Sequence, residues 1–368
     1  MKVPFLDLKA QLAPIRAEVD AAIAGVLDNT GFILGPTVAE FEESFAAQTG
    51  RAHAVGVNSG TSALHLALIA AGVGPGDEVV TTPHTWISTT WAISYVGATP
   101  VYADVDPLTG NLDPAAAEAA ITPRTRALLP VDLYGHPAAL PELEEIARRH
   151  GLALIEDAAQ SHLATLDGRP AGSFGDQACF SFYPGKNLGA VGEAGAVVTD
   201  DADVAARIRR LRDHAQDGRH HHVEVGYNYR MEGLQGAVLS VKLRHLQSWT
   251  DARREAAARY AELLADIEGV TLPGVAAGAD PSWHLYPIRV SDRDAVGARL
   301  AEAGVATGVH YPTPVHLQPA YAHLGYTKGS LPHAEEYAAT CLSLPMYAEL
   351  TADMQQYVAD QLRTALRD

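Results

Sequence analysis

Between about residues 50 and 200, short apolar runs alternate with longer amphipathic runs, and this alternation limits the possible folds more than any other feature of the sequence. Short apolar runs are typical of buried strands, and amphipathic runs between them are typical of helices that connect parallel strands. AHAVGVNSG and the following TSALHLALIAAG form one such pair, in which Gly72 closes the helix. The region therefore predicts an α/β fold with a mostly parallel central sheet flanked by helices.

Polar residues follow each of these apolar runs. In open α/β sheets, ligands bind beyond the carboxyl ends of the strands, so residues at these ends often belong to one site. The sequence therefore predicts a single crevice to which the strand ends contribute these side chains: Asn58, Ser59, His84, Asp132, Tyr134, Asp157 and Gln160.

The sequence after residue 200 has a different character. An apolar-periodic run over 231–249 predicts one long helix, and WHLYPIRV predicts a strand that further helical patterns follow. We therefore predict a large domain over 1–245, with an N-terminal arm over about 1–30. A smaller α+β domain is expected over 246–368.

Charge and composition exclude several classes of protein. The formal net charge of −17 disfavours binding to nucleic acid or to an anionic membrane, because both are polyanions. The first residues do not resemble a signal peptide, and no apolar run approaches the about 18 residues of a membrane span. Cys179 and Cys341 lie too far apart to suggest a zinc site or a disulfide framework. We therefore expect a cytoplasmic protein.

The segment NSGTSAL places Gly60, Thr61 and Ser62 where a strand gives way to a helix. Backbone N–H groups, hydroxyls and the positive helix end make such a junction suitable for a phosphate. A simple N-cap is the alternative, since Ser and Thr are favoured there in any case. Ser181, in a later segment, could hold the same phosphate.

Three further side chains could hold an aromatic ring. Asp157 ends the apolar run LALIE and could hold a proton on a ring nitrogen, or it could cap the next helix. Gln160 could reach a ring hydroxyl. Trp86 in PHTWIST could stack on the ring, or it could belong to the core.

Lys186 lies in SFYPGKNLG, between a Pro-Gly turn and another glycine. Burial of an unpaired ammonium is costly, so a lysine in such a loop is either exposed or engaged in a covalent bond. Together with a phosphate cradle, an aromatic platform and a strand-end carboxylate, it completes the set of groups that bind pyridoxal 5′-phosphate. Lys186 would form a Schiff base with the aldehyde of this cofactor.

Collinear segments along nearly the whole chain carry a resemblance to one family. They include ILGPTVAEFE, VGVNSGTSALHLAL, GATPVYADVDP, IEDAAQSH, GSFGDQACFSFYPGKNLG, VGYNYRMEGLQGAVL and HYPTPVHLQPAY. The chain resembles the DegT/StrS family of sugar-nucleotide aminotransferases, which have the fold-type I architecture of pyridoxal phosphate enzymes. The resemblance is strongest to members that act on dTDP-3-keto-6-deoxyhexoses.

The resemblance implies a transaminase cycle in which L-glutamate gives its amino group to the cofactor. Pyridoxamine 5′-phosphate then passes it to a nucleotide-linked keto-sugar. Lys186 would be the Schiff-base lysine and proton shuttle, and Asp157 the partner of the pyridine nitrogen. The family implies a homodimer with shared sites, in which Asn228 contacts the phosphate of the neighbouring subunit. The other implied residues are Gly60, Thr61, Ser62 and Ser181 at the phosphate, Trp86 and Gln160 at the ring, and Arg230, His310 and Tyr311 at the nucleotide-sugar.

Two departures from the family pattern concern the same site. The family often has Asp at the position of Ser62, and Gly at the position of Leu163, near His162. The first leaves phosphate contacts through backbone and hydroxyl groups, and the second is expected to reshape the sugar pocket. The run from Arg219 to His222 is rich in histidine, but consecutive side chains point in different directions, so we expect no metal.

Several alternatives to this function remain at the level of sequence. UDP-linked 3-keto sugars, 4-keto sugars and a non-catalytic regulatory role are all compatible with the family. Relatives that dehydrate sugars carry His at the lysine position, so Lys186 argues against that chemistry. A dinucleotide-dependent oxidoreductase is disfavoured because no GxGxxG follows a predicted strand.

Overall fold

The computed structural model describes residues 1–367, and within them the chain forms twelve strands and thirteen α-helices. The strands are β1 (His53–Val57), β2 (Glu78–Thr81), β3 (Thr99–Tyr102), β4 (Thr125–Leu129), β5 (Ala153–Asp157), β6 (Thr165–Leu166), β7 (Arg169–Pro170), β8 (Gln177–Ser181), β9 (Gly195–Thr199), β10 (Ala279–Asp280), β11 (Tyr286–Arg289) and β12 (Cys341–Leu344). The helices are α1 (Leu8–Leu12), α2 (Arg16–Asn29), α3 (Pro36–Thr49), α4 (Gly60–Ala70), α5 (Ser88–Tyr95), α6 (Pro114–Ala119), α7 (Leu140–His150), α8 (Ala202–Arg212), α9 (Gly233–Leu243), α10 (Leu246–Leu264), α11 (Arg293–Glu302), α12 (Pro332–Thr340) and α13 (Ala352–Ala365).

Seven strands form the central sheet, in the order β1-β9-β8-β5-β4-β2-β3. From β8 to β3 all neighbouring strands are parallel, and only β9 pairs antiparallel with its two neighbours. The sheet is therefore mostly parallel, as the alternation of apolar and amphipathic runs predicts. Strands β2, β8 and β9 are almost wholly buried because helices cover both faces of the sheet.

The helix predicted over 231–249 is two helices, because α9 ends at Leu243 and α10 begins at Leu246. At the junction, the N–H groups of Arg244 and His245 bond the carbonyls three residues earlier, at 3.3 and 3.0 Å. Such tight turns end the α-helical ladder although the apolar periodicity continues. Periodicity alone therefore could not show the break.

The C-terminal part is built around a two-stranded antiparallel sheet of β11 and β12, in which Tyr286 lies opposite Leu344. Helices α10 and α13 pack against each other over the same apolar cluster. The N-terminus joins this part, since the N–H of Val3 donates to Gly304 O at 2.9 Å. The boundary near residue 245 stays a prediction.

No helix of residues 1–367 has both the length and the apolar character that crossing a membrane requires.

Candidate active site

A cavity of about 610 Å³ lies beyond the carboxyl ends of β5 and β8. Its wall is assembled from distant parts of the chain: the N-terminal segment contributes Phe5, the start of α4 contributes Gly60, and the C-terminal part contributes Tyr311. The strand-end crevice predicted from the sequence is therefore present, although only Ser59, Asp157 and Gln160 of the seven residues named for it line the cavity.

The turn into α4 has the features of a phosphate cradle. The hydroxyl of Ser59 accepts a hydrogen bond from Ser62 N at 3.1 Å and so caps the helix, while Gly60 and Thr61 line the cavity. A Cβ on Gly60 would lie 2.7 Å from the Cβ of Ser181, so glycine is required where these two segments meet. Backbone, hydroxyls and helix end are thus held together around one small space.

Ser62 differs from its neighbours in this turn. Its hydroxyl donates to Asn58 Oδ1 at 2.7 Å, the side chain is buried, and it does not line the cavity. A serine here therefore completes the cap of α4.

Asp157 is the last residue of β5, and its carboxylate faces the cavity in a buried position. Burial raises the pKa of this carboxyl, while a hydrogen bond from Thr89 Oγ1 at 2.8 Å acts in the opposite direction. A second hydrogen bond comes from the N–H of Ala159 at 3.3 Å. The carboxylate is held in place, and a protonated ring nitrogen would supply the positive partner that it lacks.

Lys186 follows β8 in a tight turn, in which its N–H donates to Tyr183 O at 2.8 Å. The side chain lines the same cavity as Asp157. Burial lowers the pKa of this lysine from 10.5 to about 8, although the charge of Asp157 acts in the opposite direction. A larger fraction of this amine than of an exposed lysine is therefore neutral and nucleophilic near neutral pH.

Gln160 is fixed from both sides. Its Oε1 accepts from the N–H of Tyr134 at 2.6 Å, and its Nε2 donates to the hydroxyl of Tyr311 at 3.2 Å. The ring of Trp86 lies 5.5 Å from the ring of Tyr311, tilted by 46°, and is 56% exposed. Trp86 is therefore a cavity residue and not a core residue, which leaves its face available to a planar ligand.

His310 also lines the cavity, beside Tyr311. Its Nδ1 lies 2.9 Å from the hydroxyl of Ser343, and its ring stacks on Phe5 at 5.6 Å. Burial lowers the pKa of His310 to about 4, so the imidazole is neutral at physiological pH.

Two predicted site residues lie outside this cavity. Asn228 is exposed on the loop between α8 and α9, and Arg230 on the same loop forms an ion pair with Asp213 at 2.8 Å. Neither lines the cavity of its own chain.

Three of the seven residues predicted for the crevice lie behind the wall of the cavity. His84 and Tyr134 bond each other at 2.7 Å, and Asp132 accepts from Ser161 Oγ at 2.9 Å. All three are buried, and none lines the main cavity. Position at a strand end therefore brought them close to the site without giving them access to it.

Several cavity residues could not be identified from the sequence. Thr89 lies three residues beyond Trp86 in a run of hydroxyl residues, and nothing in that run marks which hydroxyl reaches Asp157. Arg253 and His284 come from the C-terminal part, where no motif identifies them.

Comparison with known proteins places the chain among aminotransferases. Residues 14–363 match the DegT/DnrJ/EryC1/StrS aminotransferase family. The chain belongs to this family. Membership confirms the predicted class of enzyme, and pyridoxal 5′-phosphate is its cofactor. The groups described above fit this cofactor, since one cavity offers a phosphate cradle, a buried carboxylate and a partly neutral lysine.

This chain is also similar to several individual proteins. It is 49% identical to a dTDP-3-amino-3,4,6-trideoxy-alpha-D-glucose transaminase of Streptomyces venezuelae, over 98% of this chain and 96% of the relative. It is also 49% identical to the erythromycin biosynthesis sensory transduction protein EryC1 of Saccharopolyspora erythraea, over 99% of both chains. The crystal structure of S. venezuelae DesV in complex with a ketimine intermediate superposes with a TM-score of 0.97, covering 99% of this chain and 98% of DesV at 49% identity. The predicted fold is thereby confirmed.

The histidine-rich run from Arg219 to His222 is exposed. Within residues 1–367 no group of three or more His, Cys, Asp or Glu side chains is arranged to hold a metal ion.

Proposed function

We propose that this enzyme transfers the amino group of L-glutamate to a dTDP-linked 3-keto-6-deoxyhexose. The observation that carries the proposal is that Lys186 and Asp157 line one cavity together with the turn of Ser59, Gly60 and Thr61. The sugar is suggested by the S. venezuelae relative, whose name specifies a dTDP-linked 3-amino sugar. Nearly full coverage of both chains makes a shared substrate class the simplest interpretation.

Some residues of the cavity bind and orient the cofactor, and Lys186 transfers the proton. When bound, pyridoxal phosphate supplies an electron sink for the carbanion that forms at the donor's α-carbon. Asp157 holds a proton at the ring nitrogen, and Thr89 keeps the carboxylate oriented for this task. Gln160 and Tyr311 bond each other beside Trp86, and together they position the ring.

Lys186 moves the reacting proton. Because burial lowers the pKa of its Nζ to about 8, the amine can accept the proton from the donor's α-carbon and return it to a carbon of the cofactor. The same amine serves the second half-reaction in reverse, when the amino group passes to the keto carbon of the sugar. The turn from Tyr183 to Lys186 fixes where this amine acts.

We further propose a homodimer with shared sites. Asn228 is exposed outside the cavity of its own chain, as expected of a residue that serves a neighbouring one. Large apolar side chains are exposed on the same chain, including Phe32, Ile33, Trp91 and Val225, the last of them 83% exposed. A subunit interface would remove such side chains from water, which supports the proposed dimer.

A cytoplasmic location is part of the proposal. Both cysteines, Cys179 and Cys341, are free and buried, which fits a reducing compartment.

The test is the visible spectrum of the protein loaded with pyridoxal phosphate, recorded before and after addition of L-glutamate without sugar. We expect the band of the lysine-bound cofactor to disappear and the pyridoxamine form to appear. Addition of a dTDP-linked 3-keto-6-deoxyhexose should then restore the original band. A loaded protein that glutamate leaves unchanged would contradict the proposed donor, and failure of the sugar alone to restore the band would contradict the proposed acceptor.

A further inference from the structure

Arg253 lies on α10, lines the cavity, and has no role in the proposed binding of the cofactor or in the proposed proton transfer. Its side chain is only 2% exposed, yet it lines the same cavity as Lys186. A cation in such a position needs partners, because removal of a charge from water is costly. The partners of each part of the guanidinium therefore decide what Arg253 does.

One end of the guanidinium is fully used by the protein. Nη1 donates to the carbonyl oxygens of Met346 at 2.9 Å, Trp283 at 3.1 Å and His284 at 3.4 Å. These bonds hold α10 against the segments before β11 and after β12, and they fix the plane of the guanidinium. A purely structural arginine would be explained by these contacts alone.

The other edge of the guanidinium has no such partner. Within residues 1–367, no group accepts a hydrogen bond from Nε or Nη2 of Arg253, and no carboxylate lies within ion-pair distance of it. Glu349 acts on Arg253 from farther away, and burial lowers the pKa of Arg253 to about 10, which leaves it charged at neutral pH. A buried cation thus borders the cavity without a protein counter-charge.

The free edge has the geometry of a carboxylate site. Nε–H and one Nη2–H of a guanidinium point in the same direction and match the two oxygens of a carboxylate. Arg253, His284 and Lys186 line the same cavity, and His284 links them: its carbonyl accepts from Nη1 of Arg253, and its Nδ1 lies 3.2 Å from Oδ1 of Asn187, the residue after Lys186.

We propose that the Nε–Nη2 edge of Arg253 binds a carboxylate of the amino-acid donor and so makes the enzyme select an amino acid for the first half-reaction. The inference rests on the proposed function, because it assumes a carboxylate-bearing donor. A cofactor phosphate has its own cradle at Ser59, Gly60 and Thr61, which leaves Arg253 free for a different anion. Arg253 is a specificity residue for the donor and takes no part in proton transfer.

The experiment compares Arg253→Met with the wild type, both loaded with pyridoxal phosphate. Stopped-flow absorbance gives the apparent Kd and the limiting rate for discharge by L-glutamate, and calorimetry gives the affinities for glutarate and for dTDP. We expect the Kd for glutamate and for glutarate to rise at least about 30-fold, since two charge-assisted hydrogen bonds are lost. The affinity for dTDP and the cofactor band should stay as in the wild type.

Arg254→Met is the matched control. Arg254 is the next residue of α10 and also bonds backbone carbonyls, those of Leu163 at 2.9 Å and Pro281 at 3.3 Å, but it does not line the cavity. This variant should bind glutamate like the wild type. If both variants lose glutamate equally, the effect belongs to the docking of α10 and the proposal is wrong.

The remaining outcomes are equally decisive. Unchanged glutamate and glutarate binding in Arg253→Met, or a loss of dTDP affinity in its place, overturns the proposal.

If Arg253→Met does not fold, Arg253→Lys replaces it. We expect about 10-fold weaker glutamate binding at an unchanged Tm, because a lysine keeps the charge but not the planar pair of N–H donors. If the wild type binds glutarate but is not discharged by glutamate, the proposed donor fails while glutarate binding still tests Arg253. If the wild type does not bind glutarate, Arg253 has no carboxylate ligand and the inference falls.

Discussion

The predicted site residues at the buried end of the cavity are held by hydrogen bonds within one chain. Those on the loop between α8 and α9 lie outside the cavity of their own chain. At the buried end, Asp157 receives a hydrogen bond from Thr89, and Gln160 is held between Tyr134 and Tyr311. On the loop, Asn228 is exposed and does not reach the cavity of its own chain.

The difference shows which functions one chain can perform alone. The proposed proton transfer needs groups whose positions and pKa values are fixed by burial, and Lys186 and Asp157 are buried groups that line the cavity of one chain. The proposed phosphate site consists of several weaker contacts, so we expect that a second copy of the chain can supply one of them. We therefore expect substitutions at the buried end to abolish chemistry, and substitutions on the loop to weaken binding in a way that a second chain can repair.

The largest effect is expected for Lys186→Met, which should lower the glutamate half-reaction by at least about 10⁴-fold because both the covalent anchor and the base are lost. Lys242→Met is the matched control. Lys242 is also buried, with its pKa lowered to about 8 by burial, but its Nζ donates to Gly189 O at 2.5 Å outside the cavity. Single-turnover absorbance measures both. Equal losses would mean that a lowered pKa does not identify the catalytic lysine.

Asp157→Asn should lower the rate of the half-reaction by about 10³-fold while the cofactor still binds, because an amide cannot hold a proton on the ring nitrogen as a carboxylate does. Asp176→Asn is the control: its carboxylate accepts from Leu154 N at 2.9 Å and does not line the cavity. The rate constant is read from the same absorbance change. An Asp157→Asn enzyme that retains the wild-type rate would remove the proposed role of this carboxylate.

The loop is tested by subunit complementation. Asn228→Asp should weaken binding of pyridoxal phosphate by about 10-fold or more, since it places a carboxylate near a phosphate. A mixture of Lys186→Met and Asn228→Asp chains, unfolded and refolded together, should regain about a quarter of the wild-type sites, because each mixed dimer contains one intact site.

Activity of the mixture is compared with that of each variant refolded alone. If Asn228 served its own chain, every site in the mixture would carry one defect, and the mixture would show only the average activity of the two variants refolded alone.

The sequence predicted the buried end well where a residue's role follows from its place in the chain. Asp157 is recognisable because it ends an apolar run, and Lys186 because a glycine loop leaves it no pairing partner. The phosphate roles of the turn stay a prediction: Gly60 and Thr61 line the cavity, whereas the hydroxyl of Ser62 bonds Asn58 and does not line it. Local sequence specifies the turn, and the direction of each hydroxyl depends on packing.

The residues that the sequence did not reveal are those joined by long-range contacts. Arg253 reaches the cavity from α10, and its partners lie 30 to 93 residues away along the chain. The break between α9 and α10 is likewise invisible in the periodicity. Such contacts depend on how the C-terminal part lies against the large sheet, for which no local signal exists.

Thr89 gives the finest test of this comparison, because its hydroxyl bonds the carboxylate of Asp157 although no sequence motif includes Thr89. Thr89→Val removes the hydrogen bond to Asp157 Oδ2 and keeps the volume of the side chain, so we expect the half-reaction to slow by about 10-fold, the cost of about one hydrogen bond to a charged group. Thr90→Val is the control, since Thr90 is buried on the same helix but does not bond Asp157. If the two variants have the same rate and the same Tm, Asp157 is held by burial alone. A loss confined to Thr89→Val would show that the buried end depends on a contact that sequence motifs do not reveal.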